Sequence, residues 1–358
     1  MLNANLTRRA LLRALGTSAA ALGLAACGSA GADGGSAQQG AQGQGAAAAG
    51  EDVCVRVASL KGPTTIGLVE MMDATSGVPE GDEPTTPAET SGIRYSYQVV
   101  SSPDDLLPKV IQGDVDIACV PSNAAAVLYN KTGGGVLTID VNTLGVLSVV
   151  TGDAGVKGFS DLAGRTVYLS GQGSSPEYTL DYLLDAAGIA DQVTVEFKSE
   201  HTEVASLLAT DPNAVGILPE PFTTATLAKN DALSAPVALA DVWAEYVKDG
   251  SQYVLGTTVV RKDFADGHPD AVKDFLQRHK ESVDKVNADP ASAAPLVVKA
   301  GIVPSEQVAT KAIPGCHVVC ETGAEMKDAL EGYLEVLFGA NPGSVGGSLP
   351  GDDFYYGA

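Results

Sequence analysis

Short apolar stretches of strand length alternate with helix-length stretches along most of this chain, and that alternation limits the folds open to it. Residues 53–59 alternate apolar and small side chains, as expected of a strand, and residues 63–72 place Ile66, Val69 and Met72 on one face of a helix. The other predicted strands cover residues 95–100, 115–120, 137–140, 145–150, 166–170, 193–198, 215–218 and 253–261, and the other predicted helices cover residues 104–112, 123–129, 177–187, 203–209, 269–288 and 325–338. Strands separated by such helices predict an α/β fold with mainly parallel sheets flanked by helices.

The first 26 residues have the composition of an export signal. Arg8, Arg9 and Arg13 make the start positively charged, residues 14–26 are apolar or small, and Cys27 follows directly. The apolar run is too short to span a bilayer core of about 30 Å. The segment resembles a bacterial lipoprotein signal peptide, which implies that it is removed and that Cys27 is lipidated. An ordinary secretory signal is the alternative, and the arginine pair leaves the Sec and twin-arginine export routes both open.

Residues 27–50 are predicted to form a flexible linker. After Cys27 this stretch consists of Gly, Ala, Ser and Gln with one charged residue, Asp33, so it cannot bury enough apolar surface to offset its ordering entropy. The globular part then covers residues 51–358, long enough for two domains of about 150 residues each. It has no run of about 18 consecutive apolar residues, so we expect no further membrane anchor.

The chain is strongly acidic, with 22 Lys plus Arg against 44 Asp plus Glu. Phosphate binding needs clustered basic side chains, so the charge argues against nucleic acid as a partner. The same charge disfavours adhesion of the globular part to anionic lipid, so we expect membrane contact only through the N-terminal lipid. Part of the acidic excess lies in residues 73–89, which we interpret as a solvated loop and not as a cation site.

Four cysteines are left once Cys27 is assigned to lipid, namely Cys54, Cys119, Cys316 and Cys320. They could form two disulfides outside the cell with three alternative connectivities, which the sequence leaves open, and we expect free or structural cysteines and not metal ligands. Cys316 and Cys320 flank His317, but a strand of that length separates the two sulfur atoms too far for an easily shared ion. His268 and His279 also lack ligand spacing, so the sequence predicts no metal site and no cofactor.

Small polar residues fill the turns that follow the predicted strands, and open parallel sheets bind ligands outside the carboxyl ends of their strands. These turns cover residues 61–65, 101–105, 121–123, 171–177, 199–202 and 219–221. Ser102 with Asp105, and Ser174 with Glu177, could form capping boxes, so helix capping alone is the alternative at any single turn. Together, helix N-termini from two sheets can hold a polar or anionic small molecule without a cluster of basic side chains.

Five motifs then carry a resemblance to a known family. They cover residues 59–65, 113–118, 159–167, 171–178 and 218–222. In this order and spacing they resemble the nitrate, sulfonate, taurine and thiamine-precursor branch of the type II solute-binding proteins of ABC transporters, over roughly residues 52–340. The resemblance implies two α/β lobes joined by a two-strand hinge, which close on a solute in the cleft between them.

The resemblance also implies where the lobes divide. The first lobe would comprise residues 51–146 and 258–358, the second lobe residues 147–257, and the hinge strands would lie near residues 145–149 and 254–259. The ligand-binding residues of the family fall on Lys61, Thr64, Thr65, Ser101, Ser102, Ser122, Asn123, Gly173, Ser174, Ser175 and Glu220, and His201 is a further candidate. Lys61 would supply a fixed positive charge and Glu220 would recognise an amine or ring N–H, unless the two pair with each other.

The implied function is capture of a small polar or anionic organic solute and its delivery to an ABC permease, by a monomer anchored through lipid to the outer face of the cytoplasmic membrane. An enzyme is one alternative, because a pyrimidine-precursor synthase shares the fold. The chain shows neither the cysteine-rich cluster of that relative nor a Gly-x-Ser-x-Gly or His-Glu-x-x-His motif, so we expect no catalysis. A lipoprotein that senses a ligand without any transporter is the other alternative.

Overall fold

The computed structural model describes residues 52–81, 83–248 and 251–358. The predicted signal peptide, Cys27 and the predicted linker lie outside the described residues. Within the part of the chain that is described, every helix is too short or too polar to cross a membrane.

Two β-sheets, one of six strands and one of five, organise the described residues. The strands are β1 (Val53–Leu60), β2 (Ile93–Val100), β3 (Ile117–Pro121), β4 (Val136–Leu144), β5 (Leu147–Thr151), β6 (Thr166–Ser170), β7 (Thr194–Lys198), β8 (Val215–Pro219), β9 (Ser234–Ala238), β10 (Val254–Arg261) and β11 (Val318–Glu321). The strand order is β11-β4-β10-β3-β1-β2 in the first sheet and β7-β6-β8-β5-β9 in the second.

Both sheets are mixed. β1 is parallel to β2 and β3, and β6 is parallel to β7 and β8. The remaining pairings, which involve β4, β5, β9, β10 and β11, are antiparallel. Each sheet therefore keeps three parallel strands together, and the carboxyl ends of those three strands share one edge.

Helices flank both sheets, as the alternation in the sequence predicts. They are α1 (Pro63–Ile66), α2 (Val69–Thr75), α3 (Pro103–Gln112), α4 (Ser122–Thr132), α5 (Ser175–Ala186), α6 (His201–Thr210), α7 (Phe222–Leu227), α8 (Leu239–Tyr246), α9 (Lys262–Gly267), α10 (Pro269–Ala288), α11 (Pro290–Lys299), α12 (Glu306–Ala312) and α13 (Gly323–Ala340). We call the first sheet with its helices lobe 1 and the second sheet with its helices lobe 2. The predicted two-lobed α/β fold is confirmed.

The chain crosses between the two sheets twice. It leaves the first sheet at the end of β4 and enters the second at Leu147. It returns between α8 and β10, and β10 pairs with β4 from Val254 onward, opposite Leu144. The return crossing thus lies before Val254, a few residues ahead of the expected boundary after residue 257. The hinge role of both crossings stays a prediction.

The start of α3 shows how the local sequence sets a helix next to a strand end. The Asp105 N–H donates to Ser102 Oγ at 3.3 Å, and Pro103 occupies the first turn, where its missing N–H costs nothing. Ser102 Oγ in turn donates to the Asp105 carboxylate at 2.9 Å. The helix ends at Gly113, whose φ of 79° lies in the left-handed region that glycine adopts without strain. The predicted cap at Ser102 is present.

Two groups of elements differ from the prediction. The single helix expected over residues 63–72 is broken into α1 and α2 near Gly67, where a Cβ would lie 3.1 Å from Val283 and 3.2 Å from His279 Nε2 of α10. The elements absent from the prediction are α7, α8, α9, α11, α12, β9 and β11. Most of these elements are short, and β9 is an edge strand that contains a proline. They therefore lack the long apolar periodicity by which an element is recognised in a sequence.

Candidate functional site

A cavity of about 680 Å³ lies between the lobes. Lobe 1 lines it with the turns that follow β1 and β2 and with the connection between α11 and α12. Lobe 2 lines it with the turns that follow β6 and β7 and with parts of α6 and α7. The cavity therefore lies at the carboxyl ends of the parallel strands of both sheets, where such folds place their ligands.

Six of the twelve predicted binding residues line this cavity. They are Lys61, Thr64, Ser101 and Ser102 from lobe 1, and Ser174 and His201 from lobe 2. The turn around Thr64 is held in place because Thr64 Oγ1 donates to the Leu60 carbonyl at 3.1 Å. On the opposite wall, Ser174 Oγ donates to the Gly171 carbonyl at 2.5 Å. That these six residues contact a ligand stays a prediction.

The charged groups of the cavity come from both lobes. Lys61 from lobe 1 and Lys229 from lobe 2 line it together with one carboxylate, that of Glu200. Neither lysine forms an ion pair with another described residue. Both lysines are exposed, and two ammonium groups beside one carboxylate give the lining a net positive charge that favours an anionic group on the ligand.

A serine and a histidine form a polar pair on the lobe 2 wall. The Ser170 hydroxyl and the His201 Nδ1 share a hydrogen bond, and the Phe222 ring packs against the imidazole at a centroid distance of 4.9 Å. Burial lowers the pKa of His201 to about 4 from its ordinary value of 6.5. The imidazole is therefore neutral at neutral pH. The neutral ring can offer a ligand one N–H donor or one acceptor lone pair, and it carries no positive charge.

The lowered pKa of His201 predicts a pH effect on stability. The unfolded chain binds a proton on this histidine below about pH 6.5 and the folded chain only near pH 4, so this contribution to stability is lost as the pH falls through that window. The expected loss is about 1–3 kcal/mol. Melting temperatures of the wild type and of His201→Gln should be measured between pH 7 and pH 4. The wild type should lose more stability than the variant, and parallel curves would contradict the assignment.

Ser122, Asn123 and Ser175 lie together but outside the cavity lining, where they join the lobes. All three are almost fully buried. Ser175 Oγ, at the start of α5 in lobe 2, donates to Asn123 Oδ1 at 3.0 Å and accepts from the Asn123 N–H at 3.2 Å. Ser122 Oγ lies 2.9 Å from Ser175 Oγ and donates to the Val254 carbonyl at 2.6 Å. These three residues, which are predicted to contact the ligand, therefore form hydrogen bonds with one another across the lobes.

Replacing Ser175 with alanine tests this connection. The change leaves Asn123 Oδ1 and the Asn123 N–H without their partner in a buried place, and we expect the free energy of unfolding to fall by about 1–3 kcal/mol. Chemical denaturation followed by circular dichroism measures it. Ser160→Ala at an exposed serine is the matched control and should change stability by less than about 0.5 kcal/mol. Equal effects of the two changes would show that the contact contributes nothing.

The other three predicted residues also lie outside the cavity lining. Thr65 Oγ1 is buried against the Leu60 carbonyl and Ser59 Oγ, and the Gly173 N–H donates to the Glu177 carboxylate. Glu220 accepts from the Thr224 N–H at 3.1 Å and from Thr224 Oγ1 at 2.9 Å, so it caps α7, and burial raises its pKa. The alternative in which Glu220 pairs with Lys61 is not seen among the described residues.

The cavity also has lining residues that the sequence prediction missed. The polar ones include Ser170, Ser199, Thr202, Ser206, Lys229 and Asn230, and the apolar ones include Leu147, Phe222, Leu233, Leu255, Val298, Ile302 and Val303. Ser170 ends a predicted strand, so its place at the carboxyl edge could have been inferred. Ser199 and Thr202 belong to the predicted turn 199–202, so their positions could also have been inferred, and Leu147 and Leu255 lie on β5 and β10. The others lie on α6, around α7, at the end of α11 or in the connection after it, and no spacing in the sequence indicates that these segments meet.

An aromatic cluster packs the lobes together away from the cavity lining. Trp243 of lobe 2 lies 5.6 Å from the Tyr253 ring and 5.2 Å from the Tyr333 ring of α13, measured between centroids. Tyr333 also bonds across the lobes, with its hydroxyl 2.7 Å from Thr179 Oγ1 of α5. The lobes are thus joined through apolar rings as well as through the serine contacts.

Comparison with known proteins gives the family. The family model described as NMT1/THI5 like matches residues 89–293, more than half of the chain. The chain belongs to the NMT1/THI5-like family. This confirms the resemblance that the sequence motifs indicated. A search of the curated proteins finds no match.

Solved structures similar to this family member share its fold. A protein described as an ABC transporter from Parabacteroides distasonis is 22% identical, with a TM-score of 0.68 over 85% of this chain and 99% of that one. The periplasmic aliphatic sulphonate binding protein SsuA from Escherichia coli is 14% identical, with a TM-score of 0.62 over 80% of this chain and 87% of that one. The alkanesulfonate-binding protein SsuA from Xanthomonas axonopodis pv. citri, bound to MOPS, is 12% identical, with a TM-score of 0.60 over 82% of this chain and 94% of that one.

Proposed function

We propose that this protein is the extracytoplasmic substrate-binding component of an ABC importer, and that it captures a small anionic organic solute between its lobes. The observation that carries the proposal is the cavity between the two sheets, with Lys61 on one wall and Lys229 on the other. A ligand that touches both walls is bound better by the closed arrangement than by an open one, so it shifts the population toward closure. Family membership and the similar solute-binding structures support this function.

The chemistry of the walls narrows the solute class. The lysines and hydroxyl groups suit a charged head group, whereas Leu147, Leu255 and Ile302 offer apolar surface that a bare inorganic anion would not use. A volume of about 680 Å³ also exceeds what such an anion fills. An organic anion such as a sulfonate therefore fits better than nitrate, and the sulfonate ligands named for two similar structures are in keeping with this.

The predicted binding residues divide into two roles in this proposal. Lys61, Thr64, Ser101, Ser102, Ser174 and His201 would contact the solute directly. Ser122, Asn123 and Ser175 would hold the closed arrangement of the lobes, while Thr65, Gly173 and Glu220 would fix the shape of the turns. We propose no catalytic step for any of them.

The export signal completes the proposal. We propose that the chain acts as a monomer, anchored at the outer face of the cytoplasmic membrane by lipid on Cys27, and delivers its solute to a membrane permease. The lipoprotein-like sequence before Cys27 supports the anchor. The acidic composition supports a globular part that does not adhere to anionic lipid by itself.

A ligand screen by thermal shift tests the function. The purified protein, shown by mass spectrometry to be free of co-purified solute, is melted with sulfonates, nitrate, bicarbonate, amino acids and thiamine pyrimidine precursors. A bound ligand raises the melting temperature by mass action, with about 2.7 kcal/mol gained at 100 times its Kd. A saturable shift with one organic anion class supports the proposal. A shift with nitrate alone would contradict the solute class, and no shift with any compound would contradict capture of these solutes.

A further inference from the structure

Three side chains with metal-ligating atoms meet inside lobe 1, away from the residues that line the cavity. Asp140 lies on β4, His279 on α10 and Cys320 on β11. A carboxylate oxygen of Asp140, a ring nitrogen of His279 and the sulfur of Cys320 all lie within 4.8 Å of one another. Asp140 and His279 are 0% exposed, and Cys320 is partly buried.

The cluster leaves buried polar atoms without partners. His279 Nδ1 lies 3.0 Å from Asp140 Oδ2. The second carboxylate oxygen, Asp140 Oδ1, and the second ring nitrogen, His279 Nε2, have no hydrogen-bond partner among the described residues. Leaving such atoms unpaired in the interior is costly, and a bound ion is one way in which a protein satisfies them.

We propose that Asp140, His279 and Cys320 bind a divalent cation of the zinc class. Imidazole nitrogen, carboxylate oxygen and thiolate sulfur are the three ligand types that zinc takes from proteins. The sulfur disfavours magnesium and calcium, which prefer oxygen ligands alone. On binding, the Cys320 S–H bond breaks, its proton leaves to solvent, and the thiolate forms the bond to the metal. Three protein ligands leave a fourth tetrahedral position for water.

The place of this cluster suggests a structural role. The ion would tie α10 and β11 to β4. The backbone at Gly67, between α1 and α2, packs against the same histidine, because a Cβ there would lie 3.2 Å from His279 Nε2. α1 carries Thr64 at the cavity wall. The metal would therefore support the base of the turn that holds Lys61 and Thr64, and it is independent of which solute the cavity binds.

The sequence does not indicate this metal site because its three ligands are far apart along the chain. Asp140 and His279 are 139 residues apart and Cys320 follows later, so only the pairing of β4 with β11 and the packing of α10 bring them together. The neighbours of Cys320 in the sequence that could bind a metal are His317 and Cys316, whereas its partners in the structure are Asp140 and His279.

Metal analysis of the purified full-length protein tests the site. After incubation with Zn²⁺ and desalting, we expect one equivalent of bound zinc in the wild type. Co²⁺ in its place should give the near-ultraviolet band of a cobalt–thiolate bond. Cys320→Ser should lose the cobalt–thiolate band and bind zinc at least about 100-fold more weakly, since changes of outer partners alone cost 10–100-fold. Cys54→Ser, which changes a thiol outside the cluster, should bind as the wild type does.

A second variant protects the test against misfolding. Asp140→Asn keeps the size of the side chain and removes the charge, and it should also weaken zinc binding while its circular dichroism stays that of the wild type. Absence of stoichiometric metal in the wild type would overturn the proposal. So would a Cys320→Ser protein that is folded and keeps both the zinc and the cobalt–thiolate band.

Discussion

Replacing Trp243 with alanine is expected to lower the free energy of unfolding by about 3–5 kcal/mol, the cost typical of a large buried aromatic side chain. Trp243 is 2% exposed, its ring packs on Tyr253, Tyr333 and Tyr182, and its Nε1 donates to the Ser251 carbonyl at 2.8 Å. The change opens a cavity where the lobes meet and removes the indole N–H that donates to that carbonyl. For a chain of this size the melting temperature should fall by roughly 10 °C.

The measurement is denaturant unfolding followed by circular dichroism. Trp243→Phe, which keeps an apolar ring but loses the N–H donor, should cost less than half as much. Ile111→Ala provides the matched control, because Ile111 is a large apolar residue that is 50% exposed and should contribute less than about 1 kcal/mol. If Trp243→Ala were no more harmful than Ile111→Ala, the aromatic cluster would not be holding the lobes.

Reversing the charge of Lys61 should have the largest effect on solute binding. Loss of one charge-assisted hydrogen bond costs about 1.5–3 kcal/mol, so Lys61→Met should weaken binding of an anionic solute by about 10–100-fold. Lys61→Glu adds repulsion to that loss and should weaken it by more than about 100-fold. Isothermal titration calorimetry with the solute identified by thermal shift measures both.

Lys262→Met is the matched control for Lys61→Met. It removes the same charge from lobe 1 at an exposed lysine that pairs with Asp266 and does not line the cavity. It should leave the dissociation constant unchanged within about a factor of two. If both lysine variants lost affinity equally, the effect would come from the overall charge of the protein and not from a contact in the cavity.

The fold could be predicted from the sequence because the strands and helices that build it follow one another in a regular order. The strands and helices that build the parallel part of each sheet have clear periodicity, and the turns after them have the chemistry of helix starts. Those turns include Lys61, Ser102, Ser174 and His201, all of which line the cavity. The carboxyl-edge rule predicted these positions because it depends only on strand direction.

The same rule could not separate residues that face the cavity from residues that face the other lobe. Ser122 and Ser175 begin α4 and α5, as Ser102 precedes α3, yet they are buried against each other. Which helix starts meet is decided by how the two sheets are oriented in space, and periodicity along the chain carries no information about that. The resemblance places Glu220 at the solute, and in the structure its carboxylate accepts hydrogen bonds from the N–H and the hydroxyl of Thr224 in the first turn of α7.

The part of the cavity wall at the end of α11 and in the connection to α12 shows a second limit of prediction from the sequence. Val298, Ile302 and Val303 lie more than 200 residues after Lys61 and follow no strand, yet they line the same cavity. Their position depends on packing of the C-terminal helices on lobe 1. A rule about strand ends cannot find them, and their apolar character in the sequence is that of ordinary core residues.

Trp243 is the only tryptophan in the chain, and it lies where rings from both lobes meet. Indole emission depends on the polarity and the motion of its immediate surroundings. Any rearrangement of one lobe against the other should therefore change the intrinsic fluorescence of the unlabelled protein. The protein thus carries its own optical probe, with which the rate of lobe movement can be followed in a stopped-flow instrument as soon as a ligand is in hand.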